Sequence, residues 1–292
     1  MSAEIRKTLE KKFRDVYQLP TLPDTYSKLR RIMMNPKTSA HDVAAVIEQD
    51  QALSTKVLKI VNSAFYGFPQ KVSTISHATV ILGFNELRNI AFSASVINMF
   101  GSDSKSQMFN HAKFWEHALA VAAASRIIAK HVGVACVKNP EEAFMAGLVH
   151  DIGKIVQDQF MGNEYTPVLQ RADLGDCFII EAEREILGFD HQDVGQFVAE
   201  NWNLPSILTV PIGYHNTPGV LNKDNPSYSM VCVVHIADAL ARALGRGWAG
   251  DRFVPQIQPA CWQHLGLKKS QIEIIMNDTV TACDELTSIG VA

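Results

Sequence analysis

Apolar residues recur three and four positions apart along much of this chain, which is the spacing of one face of a helix. The clearest case in the C-terminal half consists of Val231, Val234, Ile236, Ala237 and Leu240. The sequence contains no alternating run of apolar and polar residues flanked by turn residues, and the short apolar stretch 79–83 is ambiguous by itself. The pattern therefore predicts an all-α protein with short connections.

Helix starts are marked by residues whose side chains cap free backbone amides. Asn139 precedes Pro140 and two glutamates, a combination typical of a first helical turn. Three further segments pair a capping residue with an acid three positions later, and they are Ser39 with Asp42, Asp190 with Asp193 and Ser270 with Glu273. Each of these four places is predicted to begin a helix.

Glycine, serine and aspartate cluster at residues 99–106, between two helical patterns. We therefore predict an N-terminal helical domain over residues 1–103, packed on a C-terminal helical domain over residues 104–292. The candidate metal ligands all fall in the second domain.

Composition narrows the classes of protein that remain. The 292 residues are 47% hydrophobic and 20% charged, which is typical of a globular chain, and the net charge of −3 argues against a general binder of nucleic acid or anionic membranes. The charged N-terminus and the lack of an apolar run of about 20 residues predict a cytoplasmic protein without a membrane span. Five scattered cysteines, with no CxxC pair, are expected to be buried reduced thiols.

The neighbouring His150 and Asp151 carry the strongest chemical signal. Together they offer an imidazole nitrogen and a carboxylate oxygen, two ligand types that bind divalent transition metals. We expect one helix over residues 140–159, which places Lys154 on the same face as His150. Gly147 and Gly153 are poor helix formers, and we expect them to allow close approach of another helix or a ligand.

Two further residues lie in settings that favour a buried site. His117 is in an Ala-rich helical segment, and Asp238 interrupts an apolar helical run, where a buried carboxylate needs a metal ion, a lysine or an arginine as partner. Each residue also has a plainer explanation as a satisfied core or surface side chain, and His41 next to Asp42 shows that the dipeptide also arises by chance. From these residues alone, a metal site and a structural role stay equally open.

The set His117, His150-Asp151 and Asp238 resembles the H…HD…D motif of the HD superfamily, whose helical members bind a divalent metal through these positions. The resemblance implies these four residues as ligands of Fe, Mn, Ni or Zn and, less well, Mg. His191 and His215 resemble residues that bind further metal ions in the HD-GYP phosphodiesterases, where the lysine matching Lys154 contacts the substrate phosphate. The match of His191 and His215 implies candidates for a second metal site. The match of Lys154 implies a catalytic contact with the substrate phosphate if the protein is active.

The N-terminal half is similar to the HDOD domain, the HD-related output domain, over about residues 15–215. The motifs that carry this resemblance are Leu19-Pro-Thr-Leu-Pro23, the segment 48–53, the element Asn62-Ser63-Ala64-Phe65-Tyr66-Gly67 and the segment 75–83. The resemblance implies an N-terminal helical domain packed against an HD-like domain, with Asn62, Ser63 and Tyr66 at an interaction surface. HDOD domains are regarded as signalling output or adaptor modules.

The chain departs from the related motifs at three places. Gln51 follows Asp50 where proline is usual, Asn216 stands where HD-GYP proteins have the second histidine of a pair, and the Gly-Tyr-Pro triplet is missing. An amide is a weaker ligand than an imidazole, which counts against a second or third metal ion.

We therefore favour a regulatory HDOD protein that recognises a signalling protein or a nucleotide-type ligand. The alternative is a metal-dependent phosphohydrolase or phosphodiesterase acting on a nucleotide or cyclic dinucleotide. Nucleic-acid binding is the least favoured function, because the basic residues of the N-terminal half are few and mixed with acids.

Overall fold

The computed structural model describes residues 1–14, 24–33, 38–63, 66–100, 104–106, 108–175 and 177–288. Every regular element within these ranges is a helix, so the predicted all-α class is confirmed. In the described part of the chain, no helix combines the length and the apolar content needed to cross a bilayer.

The residues group into two compact units. The large unit comprises residues 1–19 and 102–280, and the small unit comprises residues 20–101 and 281–292. Contacts thus assign residues 1–19 to the large unit, whereas the sequence assigned residues 1–103 to one domain. The helix α1 (Ala3–Arg14) lies against α11 (His191–Asn201), where the rings of Phe13 and Phe197 stack at 5.8 Å. The predicted division into functional domains stays a prediction.

Among its described residues, the small unit contains five helices besides the end of the last helix of the chain. They are α2 (Asp24–Met33), α3 (Ala40–Glu48), α4 (Gln51–Val61), α5 (Ile75–Leu82) and α6 (Phe84–Met99). The ambiguous stretch 79–83 lies largely in α5, and the predicted cap and box of Ser39 and Asp42 are both formed at the start of α3.

The large unit is built on α7 (His111–Val132) and the helices that cover it. The remaining helices are α7 (His111–Val132), α8 (Pro140–Val149), α9 (Ile152–Asp173), α10 (Ile179–Leu187), α11, α12 (Ser206–Tyr214), α13 (Tyr228–Ala243), α14 (Pro259–Leu265) and α15 (Lys269–Ser288). A single 3-10 turn, Pro218–Val220, also occurs among the described residues. Helix α7 packs against α8 and α13, and its alanines at 118, 120, 122, 123 and 124 are fully buried.

Two glycines allow the close helix packing that the sequence led us to expect. A Cβ on Gly147 would lie 2.7 Å from Val121 O and 2.8 Å from Ala122 Cα of α7. A Cβ on Gly153 would lie 1.9 Å from His191 O of α11. Helices α7 and α11 therefore contact the two sides of the segment that carries His150 and Asp151.

The expectation of one helix over residues 140–159 is wrong. Helix α8 ends at Val149 and α9 begins at Ile152, so His150 and Asp151 form the junction between two helices. The backbone of Asp151 leaves helical geometry, with φ −102° and ψ 16°. The predicted starts at Asn139 and Asp190 are confirmed, whereas α15 begins at Lys269, one residue before the predicted cap.

Candidate metal centre

The α8–α9 junction places the Asp151 carboxylate between the side chains of His150, His191 and His215. Asp151 Oδ2 lies 3.2 Å from His150 Nε2, and Lys154 Nζ donates to it at 2.5 Å. The same ammonium group donates to Ala249 O at 2.7 Å, and the Lys154 side chain is fully buried. Asp151 Oδ1 lies 3.4 Å from His191 Nε2 and 3.3 Å from His215 Nε2.

Helices α7 and α13 bring two further predicted ligands to this junction. His117 Nε2 lies 3.0 Å from Asp238 Oδ1 and 4.0 Å from Asp151 Oδ2. His150 Nε2 lies 3.9 Å from Asp238 Oδ1. Side-chain ligand atoms of His117, His150 and Asp238 all lie within 4.8 Å of one another, and so do those of His150, Asp151 and His215. We call His117, His150 and Asp238 the open side of the centre.

The open side has ligand atoms that no neighbouring donor satisfies. His117 Nε2 and His150 Nε2 are buried, and no hydrogen-bond donor faces them within the described structure. Asp151 Oδ1 also lacks a hydrogen bond, but it faces His191 and His215. His150 Nδ1 lies 2.7 Å from Gly147 O, so the proton is on Nδ1 and the neutral ring presents the lone pair of Nε2 to the centre. A second partner of this kind is typical of metal-binding histidines. The residues therefore fit a divalent transition-metal ion.

On the other face of Asp151, the imidazoles meet an amide. Asn216 Nδ2 lies 2.9 Å from His191 Nε2 and 2.8 Å from His215 Nε2. The Asn216 backbone amide donates to Gln192 Oε1 at 3.0 Å, which ties the end of α12 to α11. We call His191, His215 and Asn216 the capped side of the centre.

His191 is oriented by a buried glutamate of α10. Glu183 Oε2 accepts from the His191 backbone amide at 2.9 Å and lies 2.6 Å from His191 Nδ1. The Tyr165 hydroxyl donates to the other Glu183 oxygen at 3.2 Å. Because burial alone would lower the pKa of His191, the neighbouring Glu183 carboxylate is what raises it above its ordinary value.

The buried cluster carries an excess of negative charge. Its four carboxylates are Asp151, Glu183, Asp238 and Asp251, and its two cations are Lys154 and Arg242. With neutral imidazoles, two negative charges are left without a cation. Burial favours the neutral acids, but nearby basic groups hold the pKa values of Asp151 and Asp238 well below the ordinary range, so both are ionised.

Arg242 connects the centre to a cleft. Its Nε lies 3.1 Å from Asp238 Oδ1, and its Nη1 donates to Asp251 Oδ1 at 2.9 Å. A cleft of about 240 Å³ adjoins the centre, and its lining includes His117, Arg242, Arg246, Trp248 and Arg252. An arginine-rich lining next to candidate metal ligands suits an anionic ligand.

Comparison with known proteins identifies the family. The model of the HDOD domain matches residues 19–218. The chain belongs to the HDOD family. A curated relative, an uncharacterized protein of Treponema pallidum (strain Nichols), is 27% identical over 233 residues, which cover 75% of this chain and 42% of that protein. The chain therefore spans less than half the length of this relative.

Solved structures show the same architecture. An HDOD domain protein of unknown function from Geobacter sulfurreducens superimposes with a TM-score of 0.81 at 26% identity, covering 98% of this chain and 97% of that chain. A candidate metal-dependent phosphohydrolase from Shewanella amazonensis gives a TM-score of 0.63 at 21% identity, covering 94% of this chain and 98% of that chain. The second likeness shows the fold alone.

Three residues of the centre were not predicted from the sequence. Arg242 had a usable signal, because a buried aspartate in an apolar helix needs a cation and Arg242 lies one turn after Asp238. Glu183 and Asp251 reach the centre from α10 and from the segment after α13, and no local pattern marks them. Their roles depend on tertiary packing.

The interaction residues predicted in the small unit of this HDOD protein have local partners. Asn62 Nδ2 donates to Leu58 O at 2.8 Å and Val72 O at 2.7 Å, and Asn62 Oδ1 accepts from Val72 N at 2.7 Å. Ser63 is buried and donates to Ile60 O, and Tyr66 stacks on Phe68. Asn62 thus fastens a loop, and a partner contact at these residues stays a prediction. Residues 19–23, 64 and 65 of the HDOD motifs lie outside the described residues.

Proposed function

We propose that this HDOD protein is a signal-transduction regulator whose large unit binds one divalent transition-metal ion. His117, His150, Asp151 and Asp238 would hold the ion, with two imidazole nitrogens and two carboxylates. That donor set suits Fe, Mn, Ni or Zn. The proposed partners are a signalling protein or a nucleotide-type ligand.

One observation carries the metal proposal. The buried Nε2 atoms of His117 and His150 lie 3.0 Å from Asp238 Oδ1 and 3.2 Å from Asp151 Oδ2, and no hydrogen-bond donor faces either nitrogen in the described structure. Leaving such groups unpaired is costly in a protein interior. A divalent cation would satisfy these atoms and would also neutralise the two excess negative charges of the cluster.

The position of the ligands supports regulation over turnover. His117, His150 and Asp151 are 0% exposed, and Lys154, the residue proposed to contact phosphate, has its ammonium group held by Asp151 and Ala249. An ion at this point would join α7, the α8–α9 junction and α13. Its occupancy would therefore change the stability of the large unit as a whole.

Metal content tests this proposal. We expect wild-type protein purified without added metal to hold about one transition-metal ion per chain by elemental analysis, and His150→Ala and Asp151→Asn to hold none. The matched controls are His41→Ala and Asp42→Asn, because this second His-Asp pair is exposed and lies in α3. Wild-type protein without metal, also after incubation with Mn, Fe, Ni or Zn, would refute the proposal.

The cleft beside His117 favours hydrolysis of a phosphoester as a second candidate function. Water would be added across a P–O ester bond, and a bound metal ion would supply activation of that water. Arg252, whose side chain is largely exposed, lines the cleft and would attract the phosphate. Arg242 also lines the cleft, but Asp238 and Asp251 hold it. Turnover of a cyclic dinucleotide or a generic phosphodiester by metal-loaded wild type, absent in His150→Ala, would support this candidate. If none of the four metals supports turnover, hydrolysis is refuted and the regulatory function stands.

A further inference from the structure

We propose that Asn216 occupies the position of a second metal ion and limits the centre to one ion. This inference rests on the proposed metal-binding function and concerns the capped side of the centre. There, Asn216 Nδ2 lies within hydrogen-bond distance of two imidazole nitrogens, at 2.9 Å from His191 Nε2 and 2.8 Å from His215 Nε2. An amide NH2 group has two protons, one for each of these acceptors.

The partners of the two rings fix which atoms face the amide. His191 Nδ1 lies 2.6 Å from Glu183 Oε2, and His215 Nδ1 lies 3.1 Å from Pro211 O and 3.2 Å from Ile212 O. All these oxygens are acceptors, so Nδ1 has the proton in each neutral ring and Nε2 presents a lone pair. The amide nitrogen of Asn216 therefore faces the two rings, because the amide oxygen would bring a further lone pair against those of His191 Nε2 and His215 Nε2.

Apart from their contact with Asn216, His191 Nε2 and His215 Nε2 resemble half of a metal site. Both lie close to Asp151 Oδ1, at 3.4 Å for His191 Nε2 and 3.3 Å for His215 Nε2. Two imidazoles and one carboxylate oxygen would suffice to hold a cation with open positions for water. On the open side, the corresponding nitrogens have no hydrogen-bond donor within the described structure. Asn216 is thus the difference between the two sides.

Charge supports the same conclusion independently. The buried cluster has at most two negative charges in excess, with Lys154 and Arg242 set against four carboxylates and His191 set against Glu183. One divalent ion neutralises this excess, whereas a second would leave two buried positive charges without partners. The amide satisfies the lone pairs of His191 and His215 without adding charge.

The direct test changes the amide into a ligand of the same shape. Asn216→Asp replaces the NH2 donor by an acceptor oxygen and adds one negative charge. We expect wild type to bind one Mn²⁺ per chain in calorimetric titration and elemental analysis, and Asn216→Asp to bind two. Electron paramagnetic resonance should show isolated Mn²⁺ in wild type and a spin-coupled pair in the variant.

Two further variants keep this result interpretable. Asn216→Ala removes the amide without adding charge and should also admit a second ion, at lower affinity. Asn163→Asp makes the same chemical change on an exposed position of α9 and should still bind one ion.

The outcomes separate this inference from the proposed function. Two ions in wild type, or one ion in both Asn216 variants with unchanged circular dichroism, would overturn the role of Asn216 and leave metal binding intact. No ion in wild type would overturn both.

Discussion

The open and capped sides of the centre are built from the same kinds of residue and differ in what their imidazoles contact. On the open side, the Nε2 atoms of His117 and His150 are buried without a donor in the described structure. On the capped side, Asn216 supplies a donor to both His191 and His215. A histidine cluster therefore does not by itself define a metal site, since one neighbouring amide decides whether lone pairs stay available.

The largest expected effect separates the two sides directly. His117→Ala should abolish binding of the single ion, with a loss of affinity of at least about 100-fold, because it removes a proposed ligand from the open side. His191→Ala should retain one ion per chain, because it changes the capped side alone. Calorimetric titration with Mn²⁺ measures both.

The two substitutions are matched, since each truncates a fully buried imidazole of the same unit. Equal loss of metal in both variants would mean that the distinction between the sides is wrong. Retention of the ion in His117→Ala would remove that residue from the proposed ligand set.

The capped side should also determine how the metal-free protein responds to acid. Burial lowers the pKa of His215 to about 4, whereas Glu183 raises that of His191. The unfolded chain takes up a proton at His215 near pH 6.5, whereas the folded protein does so only at lower pH. The contribution of His215 to the free energy of unfolding is therefore complete above about pH 6.5. It is lost as the pH falls towards 4 and amounts to about 3 kcal/mol.

Urea unfolding of metal-free protein between pH 7 and pH 4 measures this contribution. His215→Gln should lose less stability over this range than wild type, by about 3 kcal/mol. His191→Gln should lose more than wild type, because a raised pKa in the folded state adds stability at low pH. The same slope in all three proteins would contradict the assigned shifts.

The parts of the centre that follow from local chemistry could be predicted from the sequence. Patterns within a few residues of the chain mark several parts of the centre. They are the adjacent His150 and Asp151, Asp238 within an apolar run, and the glycines at 147 and 153. Capping residues likewise predicted the starts of α3, α8 and α11, and apolar spacing predicted α13. The helix break at the His-Asp pair was not predictable, because glycine within a helix marks close packing as readily as a boundary.

The contrast between the two sides depends on contacts that the sequence does not encode locally. Asn216 was recognisable as a weak metal ligand, but its donation to two imidazoles needs the end of α12 to meet the start of α11. Glu183 acts on His191 across eight positions and a change of helix. Such roles arise from tertiary packing, which composition and spacing do not fix.

Removal of the metal should destabilise wild type by about 2.7 kcal/mol when the free ion had been present at about 100 times its Kd. For a unit of this size, the midpoint of thermal unfolding should fall by roughly 5–10 °C. Differential scanning calorimetry with and without a chelator measures the shift. His117→Ala should show no shift and His191→Ala a shift like that of wild type, whereas shifts in both would place the ion elsewhere.

The smallest expected effect concerns the packing that holds the capped side in place. Gly153→Ala puts a methyl group 1.9 Å from His191 O, which is backbone of α11, so the helix must move at a cost of roughly 1–3 kcal/mol. Gly213→Ala is the matched control in α12, because its methyl group would meet the Gln196 side chain, whose amide can rotate away. Urea unfolding should therefore show a clear loss for Gly153→Ala and a change within about 1 kcal/mol for Gly213→Ala. Both should still bind one Mn²⁺, since His117, His150 and Asp238 lie outside α9, α11 and α12. Loss of the ion in Gly153→Ala would show that movement of α11 disturbs Asp151, which lies two residues before Gly153.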